Sequence, residues 1–457
     1  MDGISETFEP LLRDARQSGD RGSTRHITIG PNAFEALGDF LERDLPGKVE
    51  ILLCDSNTAH VAQDLGAHLE AKGRPFRLLV LEPSHGHDEL ICDQMTVDSM
   101  ATFLRVSPAF NPVAVGAGTL NDIAKMASFQ ADRSYVAVPT AASMNGYTSA
   151  IAAVLKEGVK RTLPCHQPVG IFADPEVIRS APPRLNRAGF GDLLSKPFSN
   201  ADWLLSHHIR QVPYSSEPSK FLDAPFTELL KHAKGIASSD SAAISLLLET
   251  LLLSGFSMAM AGSSAPASGG EHLISHYWDM EQHCQHEELR ALHGTQVGIA
   301  TWISALLYQR LMNLSADELV AGACIRSAPP SLQEITAAHP RLSPQVCREI
   351  QEQLALKERV GPDQEEELLR LKREWPGIKD AILPSLLGPD QIALALGDAG
   401  CPMRASEIGV DGDHLVHTIR VCRQIRRRYV ALDLMADCGV LEGWAQEVAQ
   451  ATEGAQR

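Results

Sequence analysis

The sequence predicts an α/β domain with a mainly parallel sheet, followed by an all-α domain. In the first part of the chain, short β-like runs alternate with helical patterns, which is typical of βαβ units. Beyond Ser180–Arg184, β-branched runs become scarce and apolar residues recur with the helical period. At 457 residues the chain also exceeds what one hydrophobic core usually supports. These observations together indicate two domains of different class.

The elements follow one another in the order expected of that architecture. Predicted strands cover 26–30, 49–55, 76–81, 112–115 and 135–138, with helices at 33–45, 59–72 and 95–107. Residues 151–171 predict a β-hairpin beside the sheet. Later helices are predicted at 226–232, 242–260, 294–312, 344–356, 365–375 and 415–434. Because Pro182 and Pro183 suit a helix start, we divide the chain into an extension 1–24, an α/β domain 25–181 and a helical domain 182–457.

Charge and composition exclude several function classes. The chain has 41 basic and 57 acidic residues, a formal charge of -16. Such a surface repels nucleic acid and anionic lipid, so neither is an expected partner. The basic run Arg423, Arg426, Arg427 and Arg428 lies in the predicted helix 415–434, where it indicates a solvated face or pairing between helices.

Two further features indicate a cytoplasmic protein without membrane insertion. The apolar stretch 242–260 contains Glu249 and several serines, which favours a buried helix over a membrane span. The 9 cysteines contain no CxxC pair, and the N-terminal residues show no basic region followed by an apolar one. We therefore expect reduced thiols and no secretion signal.

The segment Val115–Lys125 is the strongest candidate for binding a dinucleotide. It follows an apolar strand and opens a helix, and Gly116 and Gly118 permit close approach of a ligand to the backbone. The helix N-terminus then favours a diphosphate. Asn121 stands where the commonest dinucleotide fingerprint has a third glycine. A plain turn is the alternative for this segment taken alone.

Polar residues at two other predicted strand ends are consistent with the same ligand. Asp55 follows the second strand, where a carboxylate can accept hydrogen bonds from ribose hydroxyls, although a helix cap or a turn residue is the alternative. Thr140, Ser143 and Ser149 lie in a hydroxyl-rich segment after another strand. In an open parallel sheet ligands bind at these carboxyl ends, but a connecting loop has the same composition.

The second domain contains residues typical of a catalytic metal site. Asp192 precedes a segment with His272 and His276, which share one helix face, and His293 follows. A carboxylate with two imidazoles leaves coordination positions open for a substrate. Spacing alone does not choose the ligands, because His283 and His286 lie nearby, and a single histidine is commonly structural.

These segments, in this order, resemble the sn-glycerol-1-phosphate dehydrogenase family, which belongs to the superfamily of iron-containing alcohol dehydrogenases and dehydroquinate synthases. The resemblance rests on GAGTLNDIAK, VPTAASMNGYTS, GFGDLLSKP, GGEHLISHYWDM and HGTQVGI. It extends through 399–403 to 425–429 and covers nearly the whole chain. Five ordered matches are more specific than any single motif.

The resemblance implies a Rossmann-like nucleotide domain, a helical metal domain and a set of site residues. NAD or NADP would be held by Asp55, Gly116, Gly118, Thr119, Leu120, Asn121, Asp122, Thr140, Ser143 and Ser149. Asp192, His272 and His293 would ligate one divalent metal, zinc or nickel, with iron used elsewhere in the superfamily. His276 and Asn145 would face the substrate.

The implied reaction is hydride transfer between the nicotinamide and dihydroxyacetone phosphate, giving glycerol 1-phosphate, with the metal stabilising the developing alkoxide. His276 would relay the proton. Lys196 would offset the substrate phosphate, with an ordinary solvated lysine as the alternative. Asp55 favours NAD, because a carboxylate repels a 2′-phosphate. A homo-oligomer is expected from enzyme size alone.

One position departs from the family pattern. The TAAS motif of the family continues with an Asp that contacts the substrate, and here that position is Asn145. An amide carries no charge and cannot exchange a proton. Three alternatives therefore stay open: a dehydrogenase of an unphosphorylated polyol, a sugar-phosphate cyclase on the same scaffold, and a non-catalytic nucleotide-binding relative.

Overall fold

The computed structural model of the chain describes residues 8–18, 22–83, 89–156, 159–285, 287 and 291–454. Its strands are β1 (His26–Ile29), β2 (Val49–Cys54), β3 (Phe76–Val80), β4 (Phe110–Gly116), β5 (Val136–Pro139), β6 (Ile151–Lys156), β7 (Val159–Pro164) and β8 (Gly170–Ala173). The helices among them are α1 (Glu9–Ser18), α2 (Ala33–Asp44), α3 (Ala59–Ala71), α4 (Gln94–Val106), α5 (Gly118–Gln130) and α6 (Pro175–Ser180).

Six strands form one sheet in the order β1-β8-β5-β4-β2-β3, and every pairing in it is parallel. β2, β4 and β5 are buried along almost their whole length, as is typical of strands covered by helices on both faces. Helices α2 and α3 contribute Leu37 and Leu65 to the core, against Leu52 and Val113 of the sheet. The predicted α/β class of this part is confirmed.

The strands β4 and β5 end side by side, which brings two candidate binding segments together. Gly116 pairs with Pro139 in the parallel register. The backbone N–H of Thr140 donates to the Gly116 carbonyl at 3.2 Å. The turn before α5 and the segment that begins at Thr140 therefore leave the same carboxyl edge of the sheet, where ligands of such sheets bind.

The hairpin predicted over 151–171 is shorter than expected. β6 and β7 pair antiparallel from Ile151↔Pro164 to Lys156↔Val159, whereas Gly170–Ala173 forms β8 of the main sheet between β1 and β5. The burial patterns give the reason. β8 is buried at every residue, as in a central parallel strand, whereas β6 mixes buried with more exposed positions.

The rest of the chain is helical, as predicted. Its helices are α7 (Pro183–Leu194), α8 (Lys196–Arg210), α9 (Glu217–Lys231), α10 (Ala233–Ala237), α11 (Ser241–Ala261), α12 (Gly270–Cys284), α13 (His293–Asn313), α14 (Ala316–Ala321), α15 (Leu332–Ala338), α16 (Pro344–Lys357), α17 (Gly361–Ile382), α18 (Pro389–Asp398), α19 (Gly412–Val421), α20 (Ala431–Asp437) and α21 (Leu441–Gly454). Short 3₁₀ turns cover Ala265–Ala267, Leu383–Ser385, Ala405–Ile408 and Cys422–Ile425.

The chain forms two compact units. The first contains the residues up to Phe190 together with Lys220–Ser263, and the second contains Gly191–Ser219 together with Ser264–Arg457. Four helices of the predicted helical domain thus lie wholly or mostly in the first unit, namely α7 and α9 to α11. The predicted boundary at 181/182 stays a prediction, because compact packing is not by itself a test of which segment folds alone.

The helix predicted over 415–434 is broken. Helix α19 ends at Val421, a 3₁₀ turn follows, and α20 begins only at Ala431. Arg423 is 7% exposed and donates to Glu358 at 2.9 Å and to Asp433 at 3.1 Å. The basic run therefore includes a buried cation that pairs with other elements, and this pairing takes the place of a continuous helix.

Helix α11 is the one described helix that is long and apolar enough to cross a membrane. The mean hydropathy of its most apolar window is 1.7, and 72% of that window is buried inside the protein. Burial also raises the pKa of Glu249 on this helix. The helix thus packs as a core helix, as its composition predicts.

Candidate active site

The turn between β4 and α5 brings a helix N-terminus to the edge of the sheet. The residue before the helix, Ala117, makes no side-chain capping hydrogen bond to the first turn. Thr119 is exposed there, and a Cβ at Gly118 would lie 2.7 Å from the Met144 sulfur. An uncapped first turn of this kind has N–H donors that an anionic group can accept from.

Several of the predicted nucleotide-binding side chains are buried in the protein. Asn121 is 1% exposed, and its Oδ1 accepts from the Tyr135 hydroxyl at 3.2 Å. Ser149 is 1% exposed and donates to the Ile151 carbonyl at 2.9 Å. Asp122 is 8% exposed, and burial raises its pKa. These side chains shape the turn and the following segment, and any nucleotide contact they make adds to that structural role.

Lys125, which sequence reasoning did not single out, holds the segment after β5 in place. Its fully buried ammonium group donates to the carbonyls of Gly146 and Ile151, the latter at 3.0 Å, and to the Ser149 hydroxyl at 3.2 Å. Asp122 lies 3.5 Å away and balances the charge. The signal in the sequence was a lysine three residues after an aspartate on an otherwise apolar helix.

A glycine of α11 is the second residue missed for this segment. A Cβ at Gly255 would lie 2.1 Å from Thr148 Oγ1, 2.8 Å from the Asn145 carbonyl oxygen and 3.0 Å from the Ser149 nitrogen. No side chain fits there, so α11 packs directly against the backbone that carries Asn145. Asn145 itself is half-buried.

Asp55 closes the turn that leads into helix α3. Its Oδ1 accepts from both the backbone N–H and the hydroxyl of Thr58, each at 2.8 Å. Thr58 is the N-cap residue of α3, so of the two structural alternatives Asp55 is the turn residue and not the cap. A ribose contact through the same half-buried carboxylate remains a prediction.

Asp192, His272 and His293 converge in the second unit. One potential ligand atom from each lies within 4.8 Å of the others. Asp192 is 1% and His272 4% exposed, and His293 is half-buried. The helices can meet because a Cβ at Gly191 would lie only 2.4 Å from the Gly294 carbonyl oxygen, which leaves no room for a side chain between α7 and α13.

The electrostatics of this cluster favour a charged carboxylate. Burial alone would raise the pKa of Asp192, but the hydrogen bond from His272 and the charge of Lys196 lower it to about 2. The distance from His272 Nε2 to Asp192 Oδ1 is 3.3 Å. An ionised carboxylate beside two imidazoles is a donor set suited to a divalent transition metal.

Both imidazoles are oriented from behind by polar groups. His272 Nδ1 lies 2.9 Å from Glu271 Oε1, which also accepts from the Gly269 N–H at 2.7 Å. His293 Nδ1 lies 3.0 Å from the Ser275 hydroxyl. Metal-ligating histidines usually have such a partner on the second ring nitrogen, so the residues present fit a metal. Sequence reasoning missed Glu271 and Ser275, although both lie within the GGEHLISHYWDM motif.

His276 and Lys196 lie close to this cluster. The His276 ring is 9% exposed and stacks on His293 with centroids 5.4 Å apart. Lys196 is 7% exposed, and burial lowers its pKa to about 8 against the attraction of Asp192 and Glu271. The alternative of a solvated lysine therefore does not hold. His283 lies at the end of α12 outside the cluster, and His286 falls outside the described residues.

Comparison with known proteins identifies the class. Residues 28–182 match the family model of the iron-containing alcohol dehydrogenases. Glycerol dehydrogenase from Schizosaccharomyces pombe has the same fold, with a TM-score of 0.59 over 95% of this chain and 93% of that chain at 16% identity. Sulfoacetaldehyde reductase from Bifidobacterium kashiwanohense in complex with NAD+ gives 0.58 over 94% and 98% at 15% identity. The chain thus has a fold that these dehydrogenases and reductases share, and its first part matches the iron-containing alcohol dehydrogenases.

Sequence relatives narrow the class to one family. Glycerol-1-phosphate dehydrogenase (NAD(P)+) of Bacillus subtilis (strain 168) is 34% identical over 312 residues, which are 68% of this chain and 78% of that protein. The same enzyme of Geobacillus stearothermophilus is 30% identical over 431 residues, 93% of this chain and 96% of that protein. The chain belongs to the glycerol-1-phosphate dehydrogenase family.

Proposed function

We propose that this chain is a metal-dependent, NAD(P)-linked dehydrogenase that interconverts dihydroxyacetone phosphate and sn-glycerol 1-phosphate by hydride transfer. The single observation that carries the proposal is the convergence of Asp192, His272 and His293 within 4.8 Å. These residues come from three separate helices. Family membership alone would not require that this chain had kept them together.

The dinucleotide is assigned to the carboxyl edge of the parallel sheet. The uncapped start of α5, with Gly116, Gly118, Thr119 and Leu120, offers backbone N–H groups to a diphosphate. Asp55, Asn121, Asp122, Thr140, Ser143 and Ser149 complete the proposed set. The half-buried Asp55 favours NAD over NADP, because its charge would repel a 2′-phosphate.

The metal is assigned to Asp192, His272 and His293, where a bound divalent ion supplies Lewis-acid polarisation of the substrate carbonyl. His276, stacked on His293, is the proposed proton relay. Lys196 is proposed to offset the charge of the substrate phosphate, since its buried ammonium group lies near a carboxylate that alone would repel an anion.

Zinc or nickel is the proposed metal, with iron as the further candidate, because two imidazoles and one carboxylate suit each of these ions. We propose a cytoplasmic location, consistent with 9 cysteines that are all free thiols. A homo-oligomer remains an expectation from the size of the enzyme.

Asn145 supports a second candidate on the same scaffold, either a dehydrogenase of an unphosphorylated polyol or a sugar-phosphate cyclase. Its amide cannot exchange the proton that a carboxylate exchanges. If the substrate is a glycerol phosphate, the proton would leave through His276 and water instead. Otherwise the substrate would differ.

A substrate panel tests the proposal. NADH consumption is followed with dihydroxyacetone phosphate, dihydroxyacetone and cyclase substrates, for the wild-type enzyme and Asn145→Asp. Turnover of dihydroxyacetone phosphate above dihydroxyacetone supports the proposed function. Turnover of an unphosphorylated substrate alone, or product formation without net NADH change, would replace it by one of the second candidates. NADH binding without turnover of any substrate would leave a non-catalytic relative.

A further inference from the structure

The Ser275 hydroxyl lies between a candidate metal ligand and a buried amide. Its Oγ is 3.0 Å from His293 Nδ1 and 2.7 Å from Gln296 Oε1. The other end of the amide, Gln296 Nε2, lies 3.0 Å from Asp279 Oδ1 and 3.3 Å from the Ala291 carbonyl. A carbonyl oxygen accepts only, and a carboxylate accepts when ionised. The amide is therefore turned with its NH₂ toward them and its oxygen toward Ser275.

The direction of each hydrogen bond in this chain follows. A serine hydroxyl has one hydrogen, and Ser275 donates it to Gln296 Oε1. Toward His293 the serine oxygen can then only accept, so His293 Nδ1 must carry the hydrogen. The lone pair of the neutral imidazole is left on Nε2.

The hydrogen bond behind His272 is also directed from the ring to an acceptor, in this case a carboxylate. Glu271 Oε1 accepts from the Gly269 N–H and from His272 Nδ1, which places the ring hydrogen on Nδ1. The other ring nitrogen, Nε2, lies 3.3 Å from Asp192 Oδ1. Without metal it can also donate a hydrogen to this ionised carboxylate, so Glu271 fixes only the Nδ1 hydrogen of His272.

The four side chains behind the two imidazoles are buried, with exposures of 0% for Glu271 and Ser275, 1% for Gln296 and 6% for Asp279. Breaking such a series of hydrogen bonds leaves buried donors or acceptors unsatisfied, which is unfavourable. The arrangement is therefore held in one state.

We propose that Asp279, Gln296, Ser275 and Glu271 are positioning residues. The hydrogen-bonded series Asp279–Gln296–Ser275 fixes His293 in the Nδ1–H tautomer, and Glu271 accepts the Nδ1 hydrogen of His272, so that Nε2 of each imidazole is the nitrogen left to bind the metal. The inference rests on the proposed function for the identity of the metal ligands. The tautomers themselves are properties of the protein without metal.

The first test reads the tautomers directly. Metal-free protein labelled with ¹⁵N-histidine is examined by long-range ¹H–¹⁵N correlation NMR, at a pH high enough to deprotonate both imidazoles. Signals are assigned with His272→Gln and His293→Gln. We expect the Nδ1–H tautomer at His293 in the wild type, and a mixture of tautomers at His293 in Ser275→Ala. An Nε2–H tautomer at His293 in the wild type, or an unchanged signal in Ser275→Ala, would overturn the inference.

Thr301→Val is the matched control. Thr301 is a fully buried hydroxyl on α13 that donates only to the Val297 carbonyl of its own helix, at 2.8 Å. Its loss removes a buried hydroxyl of the same unit without touching either chain. The tautomers of Thr301→Val should match the wild type, and if they shift as in Ser275→Ala, the serine effect is structural and the inference fails.

The second test measures zinc affinity by competition with a chromophoric chelator. Ser275→Ala and Glu271→Met should bind zinc about 10- to 100-fold more weakly than the wild type, the usual effect of losing a partner behind a ligand. Glu271→Gln should recover part of the loss, because its amide oxygen still accepts from His272. Equal affinities in Glu271→Met and the wild type would overturn the inference. If instead His272→Gln and His293→Gln bind zinc like the wild type, the ligand assignment fails while the tautomer result stands by itself.

Discussion

The Asp202 carboxylate accepts a hydrogen bond of 2.7 Å from the backbone N–H of Gly270, the first residue of helix α12. Its other oxygen accepts from the Tyr308 hydroxyl at 2.6 Å and from the Ala431 N–H at 2.7 Å. A Cβ at Gly269 would lie 2.5 Å from the same carboxylate. The buried side chain of Asp202 on α8 thus links α12, α13 and α20. Its contact with α12 lies at the start of that helix, on the N-terminal side of the candidate ligand His272.

The pH dependence of stability should show the titration of Asp202. Burial and the charge of Glu271 raise the pKa of Asp202 from 3.8 to about 7. The folded protein holds this proton more tightly than the unfolded chain, so the contribution of Asp202 to the free energy of unfolding falls as the pH rises from about 4 to about 7. Asp202→Asn lacks the titration. The urea midpoint is measured for both proteins as a function of pH. The difference, wild type minus Asp202→Asn, should fall between about pH 4 and pH 7 and level off above that. A difference that is constant across the window would show that Asp202 does not titrate there.

Lys125→Met should weaken NADH binding. The half-buried carbonyls of Gly146 and Ile151 lose a charged donor, and the segment that follows β5 loses its anchor. The dissociation constant is measured by NADH fluorescence titration, and zinc affinity should stay as in the wild type. Lys231→Met removes only an exposed ion pair with Glu228, which contributes little to stability, and should bind NADH normally. Equal NADH affinities for the two variants would contradict the anchoring role.

Gly255→Ala should displace the backbone of Asn145 and lower activity. The added methyl group would lie 2.8 Å from the Asn145 carbonyl oxygen and 2.1 Å from Thr148 Oγ1. Overpacking of this kind costs about 1–3 kcal/mol. We expect a lower thermal midpoint and a reduced kcat.

The control is Gly377→Ala on α17, where nothing lies within 4 Å of the added methyl group. In a helix interior, glycine makes the folded protein less stable than alanine does by about 0.5–1 kcal/mol. This variant should therefore be slightly more stable than the wild type and fully active. If Gly255→Ala behaved in the same way, the close packing of α11 against the Asn145 backbone would be refuted.

Gly191→Ala should weaken zinc binding and leave NADH binding intact. Its methyl group would meet the Gly294 carbonyl oxygen at 2.4 Å and force apart the two helices that carry Asp192 and His293. Sites of this kind need their ligands placed within about 0.5 Å. Zinc competition and NADH titration on the same preparation check both halves. Unchanged zinc affinity would mean that this helix contact does not set the ligand distance.

The sequence predicts the fold well where burial is uniform along an element. The apolar runs at β2 and β4 and the helical periods at α11 and α13 lie close to their predicted ranges. The first residues of β8 are predicted as part of a hairpin, because a four-residue strand gives too short an apolar pattern to be recognised. Its place in the main sheet is visible only from its pairing with β1 and β5. The break after Val421 was missed because buried ion pairs of Arg423 outweigh local helical periodicity.

Part of the candidate site can likewise be predicted from local sequence spacing, and part of it cannot. His272 and His276 share a helix face by spacing alone, but the choice of His293 came from resemblance, since nothing local brings it to α12. Lys125, Gly255 and Gln296 act through contacts with residues distant in the chain or on another helix. Such contacts leave no periodic signal, and they become visible only once the elements are packed.

The most direct test of the account is metal-dependent turnover. NADH oxidation by dihydroxyacetone phosphate is measured after metal removal and after reloading separately with zinc, nickel and ferrous iron, for the wild type and His272→Gln. We expect no turnover without metal, recovery in the wild type with at least one of the ions, and no recovery in His272→Gln. Full activity in the metal-free wild type, or equal recovery in His272→Gln, would contradict it.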